Sequence, residues 1–249
     1  MSGEVTLNKE LCHVLSINEM QGEVYSIELQ LENHGTFEFF AGQYLSLSLK
    51  EESEPAFFSI ASRPGLSRVT LHIQADIHNN AAKEIIAELK SVNNSNGLIS
   101  ISYPFGNACL KELPDCPVIF IAAGTGFAQM KGLIDSLHFR NFQHPISLYW
   151  GVRKKEAMYM EQIANDWAKE KEQFRFTPII ADIDQIQDTE HHNLLTDSVL
   201  LDYPQLSKHL VLVSGSPKLV YSAMDSLTAH GLPKENFFSD VLEYAPRGA

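Results

Sequence analysis

Cysteine is scarce in this sequence, and its spacing excludes several kinds of site. The 249 residues include only Cys12, Cys109 and Cys116. None forms a Cys-x-x-Cys pair, and they are too few for a disulfide framework or for an iron–sulfur cluster, which normally takes about four cysteine ligands. We therefore expect unreactive thiols and no iron–sulfur centre in this chain.

An excess of positive charge and a long hydrophobic run are also missing. The formal net charge is −12 and the isoelectric point is near 5.2, which argues against nucleic acid or an anionic membrane as the main partner. No apolar run approaches the length of a membrane span, and the first residues lack the apolar core of a signal peptide. We expect a cytoplasmic protein of one large or two medium domains.

The most informative stretch is residues 118–134, VIFIAAGTGFAQMKGLI. Residues 118–122 are apolar without alternation, which is typical of a central parallel strand. A Gly-Thr-Gly triplet at 124–126 follows, where glycine allows positive φ and close approach of a ligand, and a helix is predicted from Phe127. A helix N-terminus attracts phosphate. The pattern indicates either a dinucleotide-binding turn or an ordinary strand-to-helix turn, since Gln129 stands where a GxGxxG motif has its third glycine.

Residues 1–113 carry the pattern of antiparallel strands. Apolar and polar side chains alternate in the segments 24–31, 44–49, 69–74 and 98–103. This alternation predicts an antiparallel sheet or a small barrel. A helix is expected in 81–89 with Asn79 or Asn80 as its cap, followed by a turn at 93–97.

Residues 114–249 alternate strands with helices. A boundary is expected around 113–117, where two prolines flank Asp115 and Cys116. Beyond it we predict helices at 155–171 and from Pro217 to about His230, and further strands at 146–151, 174–180, 209–215 and 236–240. This order predicts a parallel sheet whose ligand site lies beyond the carboxyl ends of its strands. The expected domains are 1–113, a β-barrel, and 114–249, an α/β domain.

The acidic region 181–208 has the least distinct pattern. A metal site or a solvated loop would each explain its polar residues Asp182, Asp184, Asp188, Glu190, His191, His192 and Asp197. No HExxH-like spacing is present, so we favour the loop and expect no metal site.

Several segments, in order along the chain, resemble the ferredoxin–NADP reductase superfamily, and in particular the bacterial NAD(P)H:flavin oxidoreductases. They are AGQYLSL (41–47), FFSIAS (57–62), LHIQ (71–74), YPFGNA (103–108), IAAGTGFA (121–128), YWGVR (149–153), VSGSP (213–217) and FSDVLEY (238–244). The resemblance spans roughly residues 11–244. It implies an antiparallel flavin-binding β-barrel followed by an α/β parallel-sheet domain that binds NAD(P)H.

The resemblance assigns the flavin ring to the FFSIAS segment. Ser59 matches the hydroxyl that approaches flavin N5, the atom that receives hydride, because a hydroxyl can both accept and donate a hydrogen bond. A strand serine satisfied by the backbone is the alternative. The other flavin-site residues that the resemblance implies are Phe58, Ile60, Ala61, Ser62, His72 and Ile73.

The nicotinamide nucleotide is assigned by the same resemblance to the glycine turn. Thr125, a second catalytic candidate, would lie near the nicotinamide, and Arg153 would meet the adenosine phosphate unless it only forms a surface ion pair. Tyr244 would cover the flavin or simply pack between the domains. The remaining implied contacts are Gly124, Gly126, Phe127, Gly215 and Ser214, which replaces the cysteine of many relatives.

Two departures from the family pattern bear on how flavin is held. Ala56 stands where the flavin-phosphate arginine is expected, and residues 78–82 lack the Gly-Ser turn of tight FAD binders. Both favour flavin as a loosely bound substrate. We therefore expect riboflavin and FMN to bind with similar affinity, unless Arg63 or Lys50 replaces the missing cation.

The expected function is therefore an NAD(P)H-dependent flavin reductase. NADH or NADPH would pass hydride from nicotinamide C4 to N5 of riboflavin, FMN or FAD. Reduced flavin would then serve a separate monooxygenase, or reduce ferric complexes and oxygen. Two alternatives stay open: a flavin-retaining reductase that serves a separate iron–sulfur or haem protein, and a non-catalytic flavin- or nucleotide-binding subunit.

Overall fold

The computed structural model describes residues 7–48, 54–76, 79–181 and 188–247, with the backbone alone at 188–192. The first part of the chain forms a six-stranded antiparallel sheet in the order β4-β3-β6-β1-β2-β5. Its strands are β1 Asn8–Glu19, β2 Val24–Leu31, β3 Tyr44–Ser48, β4 Ala56–Ser59, β5 Arg68–Gln74 and β6 Leu98–Phe105.

This sheet curls into a nearly closed barrel. The edge strands approach each other where Ile60 pairs with Leu71 in an isolated antiparallel bridge. Alternate residues of the strands fill the interior, among them Leu45 and Ile101, which are fully buried. Helix α1, Asn80–Asn94, lies between β5 and β6, and the Asn79 side chain caps it by accepting a hydrogen bond from the Ala82 N–H at 3.1 Å.

The second part forms a five-stranded parallel sheet in the order β11-β10-β7-β8-β9. The strands are β7 Val118–Ala123, β8 Ile146–Val152, β9 Phe174–Ile180, β10 Leu210–Ser214 and β11 Phe237–Phe238. The helices are α2 Phe127–Phe139, α3 Glu161–Glu170, α4 Asp188–Asp202, α5 Pro217–Ala229 and the single turn α6 Val241–Tyr244. The unbroken apolar run therefore forms the central strand, as the sequence predicts.

Helices cover both faces of this sheet, which explains why its strands do not alternate. Phe120 and Leu148 belong to a core shared with α2 and α3. Ile119 and Ile121 point to the opposite face and pack with residues of α4 and α5, such as Leu195 and Leu219. The predicted two-part fold is confirmed, whereas the domain boundary at residues 113 and 114 stays a prediction.

Strand β1 was missed by the sequence pattern. Its register against β2 shifts between Val14 and Ser16, and this bulge interrupts the period-two spacing on which the strand prediction depends. Helix α1 runs through Asn94, so the predicted turn at 93–97 begins two residues later, at Ser95 and Asn96. The last strand is only Phe237–Phe238.

In the second part, one predicted helix begins later than expected and one predicted loop contains a helix. Residues 155–157 form a short 3-10 turn and α3 begins only at Glu161, because the backbone at Met158 and Met160 is not helical. The predicted acidic loop contains α4, whose Leu195 and Val199 are fully buried at helical spacing. Predictions that concern Leu49, Lys50, His78, Asp182 and Asp184, and the side chains of Asp188, Glu190, His191 and His192, lie outside the described residues.

None of the helices described is long and apolar enough to cross a membrane.

Candidate functional site

A cleft opens between strand β4 of the barrel and the carboxyl ends of β7 and β10. One space of about 410 Å³ is walled by the aromatic side chains of Tyr44, Phe57 and Tyr244. A second space, of about 330 Å³, contains His72 and Thr125 in its lining. We call the two together the central cleft, because both are lined by Phe57, Phe58, Ser59, Ser214 and Gly215.

The central cleft brings residues of both predicted sites together. Ser59 ends β4, and Thr125 lies in the turn after β7. Both are half-buried, and neither hydroxyl forms a hydrogen bond with the described residues, so both can act toward a bound molecule. The predicted residues that line the cleft are Phe58, Ser59, His72, Thr125, Gly126, Ser214, Gly215 and Tyr244.

Other predicted residues have side chains that do not line this cleft. Ile60 and Ile73 belong to the barrel core, and Ala61 is fully buried beside them. The Ser62 hydroxyl accepts a hydrogen bond from the Thr70 N–H at 3.1 Å. These side chains therefore do not line the central cleft, and the prediction that these residues bind flavin, which stays a prediction, depends on their main chain.

The Phe127 side chain does not line the central cleft either. Its side chain is fully buried and stacks on Trp150 with 3.9 Å between ring centroids. The aromatic ring therefore anchors α2 to the sheet, and only the backbone at the start of the helix faces the turn. The sequence predicted the helix start correctly, but the position of the ring depends on a contact with a residue of β8.

The glycines of the turn have different roles. Gly124 has φ +54°, a conformation that glycine adopts without strain, and its carbonyl accepts a hydrogen bond from Trp150 Nε1 at 2.9 Å. Gly126 has φ −55°, so the expected positive φ is wrong there. A Cβ at Gly126 would lie 2.4 Å from the Ser214 carbonyl oxygen. Close approach to β10 is what requires glycine at 126.

Arg153 lies in an adjoining space of about 530 Å³. It is exposed and follows β8, and Gly124 and Lys218 line the same space. A chain of spaces thus runs from Ser59 past the glycine turn to two basic side chains. The glycine turn and the two basic side chains, with Asp76 in the same lining, suit the phosphates of a dinucleotide.

Sequence patterns missed the polar contacts that join the barrel to the parallel sheet. Buried Gln129 donates through Nε2 to the Gly42 carbonyl oxygen at 2.8 Å and to Asp240 Oδ2 at 2.7 Å. Asp240 Oδ1 also accepts from the Ala108 N–H at 3.1 Å. A glutamine among the apolar positions of α2 is the one signal that could have indicated them.

The Asp240 carboxyl is expected to make the stability of the protein depend on pH. Burial raises its pKa from 3.8 to about 6, against the hydrogen bonds from Ala108 and Gln129, which lower it. The folded protein therefore holds a proton that the unfolded chain releases at lower pH. The stabilisation that this proton brings is complete below pH 4 and is lost as the pH rises through about 6.

We expect wild type to gain about 1–2 kcal/mol of unfolding free energy relative to Asp240→Asn when the pH falls from 7.5 to 5. Urea unfolding of both proteins across this range measures the difference, and the other carboxyl groups cancel in the comparison. A difference that does not change with pH would show that Asp240 titrates normally.

Neither a reactive thiol nor a cluster of metal-ligating side chains is found among the described residues. Burial raises the pKa of Cys12 to about 12 and that of Cys109 to about 11, so their reactive thiolates are rare at neutral pH. Across the residues whose side chains are described, no three His, Cys, Asp or Glu side chains cluster as metal ligands would.

The fold and the central cleft define a two-part protein in which a β-barrel faces the glycine turn of a parallel α/β sheet. Residues 120–225 match the family model of the oxidoreductase NAD-binding domain. The chain belongs to the ferredoxin–NADP reductase superfamily, and the predicted resemblance is confirmed.

Two curated relatives show the range of the similarity. The NAD(P)H-flavin reductase of Vibrio harveyi is 29% identical over 236 residues, which cover 94% of this chain and 98% of the relative. The terephthalate 1,2-dioxygenase reductase component 1 of a Comamonas species is 32% identical over 228 residues, 91% of this chain. The chain spans only 66% of the length of that reductase component.

Solved structures share the fold at lower identity. The Amycolatopsis cytochrome P450 reductase aligns with a TM-score of 0.80 and 21% identity over 96% of this chain and 71% of its own. The ferredoxin–NADP⁺ reductase of Plasmodium falciparum aligns with a TM-score of 0.73 and 17% identity over 92% of this chain and 95% of its own. These comparisons support the predicted two-domain architecture, and the curated relatives support an oxidoreductase.

Proposed function

We propose that this protein is an NAD(P)H-dependent flavin reductase that takes flavin as a loosely bound substrate. One observation carries the proposal: Ser59 of the barrel and Thr125 of the glycine turn line the same cleft. The two are the residues to which the family resemblance assigns flavin N5 and the nicotinamide. Similarity to the Vibrio harveyi flavin reductase over 98% of that protein supports the same role.

The reaction is a hydride transfer from nicotinamide C4 to flavin N5, and its redox chemistry belongs to the two bound molecules. The protein contributes orientation and exclusion of water. The Ser59 hydroxyl accepts or donates a hydrogen bond as N5 gains a hydrogen, and the N-terminus of α2 favours the phosphates of the nucleotide. Phe57 and Tyr244, which are 54% and 62% exposed, offer flat apolar surface to a flavin ring.

The test is oxidation of NADH and of NADPH by the purified protein, followed with increasing riboflavin and with none. We expect a negligible rate without flavin and saturation as riboflavin rises. If purified protein is yellow and oxidises nucleotide only with a protein acceptor, flavin is a retained group. If flavin binds and no hydride is transferred, the non-catalytic subunit replaces our proposal.

The electron-transfer alternative has its own support. The Comamonas relative is named as a reductase component of a dioxygenase. Under this alternative the flavin would pass electrons to a separate iron–sulfur or haem partner. Dependence of the rate on added free flavin separates the two functions, because a retained flavin is already present at full occupancy.

We predict that Ala56→Arg creates a preference for FMN. Ala56 begins β4 and is half-buried, and no cation is supplied by Arg63, which stacks over the Phe139 ring at 3.8 Å. Wild type should bind riboflavin and FMN alike. A charge-assisted hydrogen bond to phosphate should raise FMN affinity about tenfold and leave riboflavin unchanged.

Flavin fluorescence titrations measure both affinities, and Ala56→Gln is the uncharged control. A clear FMN preference in wild type would contradict the prediction. It would also indicate that another cation meets the phosphate.

A further inference from the structure

The buried imidazole of His72 has an unpartnered nitrogen beside the proposed reaction site. His72 lies on β5, is 5% exposed, and lines the central cleft together with Ser59 and Thr125. Its Nδ1 is 3.0 Å from the Tyr159 hydroxyl oxygen. Its Nε2 is buried and has no hydrogen-bond partner among the described residues. A buried polar atom without a partner costs stability, and at a cleft the missing partner is often a ligand.

The Tyr159 hydroxyl determines which nitrogen of His72 carries the proton. This hydroxyl is buried, and within the described part of the chain its hydrogen-bond partner is His72 Nδ1. If Nδ1–H donated to the hydroxyl oxygen, both the phenolic proton and Nε2 would lack partners. If the hydroxyl donates to Nδ1, only Nε2–H is left. The second arrangement is favoured because it leaves fewer buried polar groups unsatisfied.

The imidazole is also uncharged at neutral pH. Burial, assisted by the positive charge of Lys131, lowers the pKa of His72 to about 3. The other ring packed against it is that of Tyr159, edge-on with 5.3 Å between centroids. A single neutral N–H suits one uncharged oxygen better than phosphate, which needs positive charge to offset its desolvation.

We propose that His72 Nε2–H donates a hydrogen bond to an uncharged oxygen of the molecule bound in the central cleft, and that Tyr159 holds the ring in this tautomer. The inference rests on the proposed function. It gives the predicted site residue His72 a specific donor atom and adds Tyr159 as a positioning residue. The acceptor is a carbonyl or hydroxyl oxygen, and three sources carry one near the reacting atoms: the nicotinamide carboxamide, the carbonyl groups of the flavin ring and the ribityl chain of the flavin.

The experiment compares His72→Leu, which removes the donor, with His72→Gln, which keeps an N–H donor. We expect His72→Leu to raise the KM and the Kd of one ligand about three- to tenfold, and His72→Gln to restore most of that loss. Tyr159→Phe should give a smaller rise in the same constant, because the tautomer is no longer fixed. His138→Leu is the matched control, since His138 also has a buried unpartnered Nε2 but lies on α2 outside the cleft lining.

Three outcomes identify the acceptor. If the oxygen belongs to the ribityl chain, His72→Leu weakens the binding of riboflavin and leaves that of lumiflavin, which has no ribityl chain, unchanged. If it belongs to the flavin ring, the binding of both flavins weakens equally and that of NADH is unchanged. If it belongs to the carboxamide, the KM and Kd of NADH rise, by the same factor with either flavin. Equal KM and Kd values for wild type, His72→Leu and His72→Gln with both ligands would overturn the inference. A lower melting temperature of His72→Leu with unchanged KM and Kd would overturn it as well.

Failure of the proposed function is recognised separately. A wild type that binds flavin or nucleotide without turnover contradicts flavin reduction, and the equilibrium Kd values still decide the role of His72. A wild type that turns over normally with unaltered constants in His72→Leu contradicts the His72 inference alone.

Discussion

Ser59→Ala is expected to lower kcat for flavin reduction about ten- to hundredfold. The Ser59 hydroxyl faces the central cleft and bonds no described residue, so its removal leaves no internal partner unsatisfied. A hydrogen bond that strengthens as N5 gains a hydrogen lowers the barrier, and its loss raises that barrier by about 1.5–3 kcal/mol. Stability should change little, because the hydroxyl contributes nothing to the packing of β4.

Stopped-flow measurement of flavin reduction at saturating NADH tests this expectation directly. Ser59→Thr retains a hydroxyl and should recover part of the rate. Ser100→Ala is the matched control, since Ser100 lies on β6 and does not line the central cleft. If Ser59→Ala reduced flavin within twofold of wild type, the assignment of Ser59 to N5 would be wrong.

The parts of the fold that the sequence predicted are those fixed by local patterns. Residues 118–122 are apolar on both faces because helices cover both sides of the sheet. An unbroken apolar run in the sequence therefore predicts a buried central strand. The glycine turn and the start of α2 follow from the same stretch. Helix α4 was not predicted. Few of its described side chains are buried and the sequence around it is acidic, so the region was interpreted as a solvated loop despite the helical spacing of Leu195 and Val199.

Only those site residues that belong to a short sequence motif could be predicted. Ser59 and Thr125 came from motifs, and the structure places both in one cleft. Gln129 and Asp240 are 111 positions apart in sequence, so their contact depends on how the two sheets meet. The same holds for His72 and Tyr159, 87 positions apart. The spacing of apolar and polar residues within one helix or strand cannot predict contacts between residues so far apart in the sequence.

Helix α2 contacts the barrel through two of its polar side chains. Gln129 and Lys131 donate hydrogen bonds from this helix to the barrel carbonyls of Gly42 and Ala61, at 2.8 and 3.3 Å. The next residue of the helix after Lys131 is Gly132. A Cβ there would lie 2.6 Å from the Ile60 carbonyl oxygen. Since Ile60 directly follows Ser59, the distance from this glycine to the barrel also fixes the position of the proposed catalytic hydroxyl.

Gly132→Ala is therefore expected to damage both stability and hydride transfer. Alanine favours a helix by about 1 kcal/mol over glycine, but the added methyl group must displace backbone, and overpacking of this kind costs about 1–3 kcal/mol. We expect a net loss of up to about 2 kcal/mol in unfolding free energy. A displacement of Ser59 by a fraction of an ångström to 1 Å should lower kcat by up to about a hundredfold.

Urea unfolding and single-turnover flavin reduction, at a temperature where the variant is fully folded, measure the two effects separately. Gly35→Ala is the control, because the Cβ it adds would meet the flexible Asn33 side chain, with its Oδ1 at 2.8 Å, rather than backbone. A folded Gly132→Ala protein with wild-type kcat would mean that α2 can move away from the barrel without moving Ser59. Loss of kcat with unchanged flavin affinity would instead show that the contact between α2 and the segment after Ser59 sets the geometry of hydride transfer.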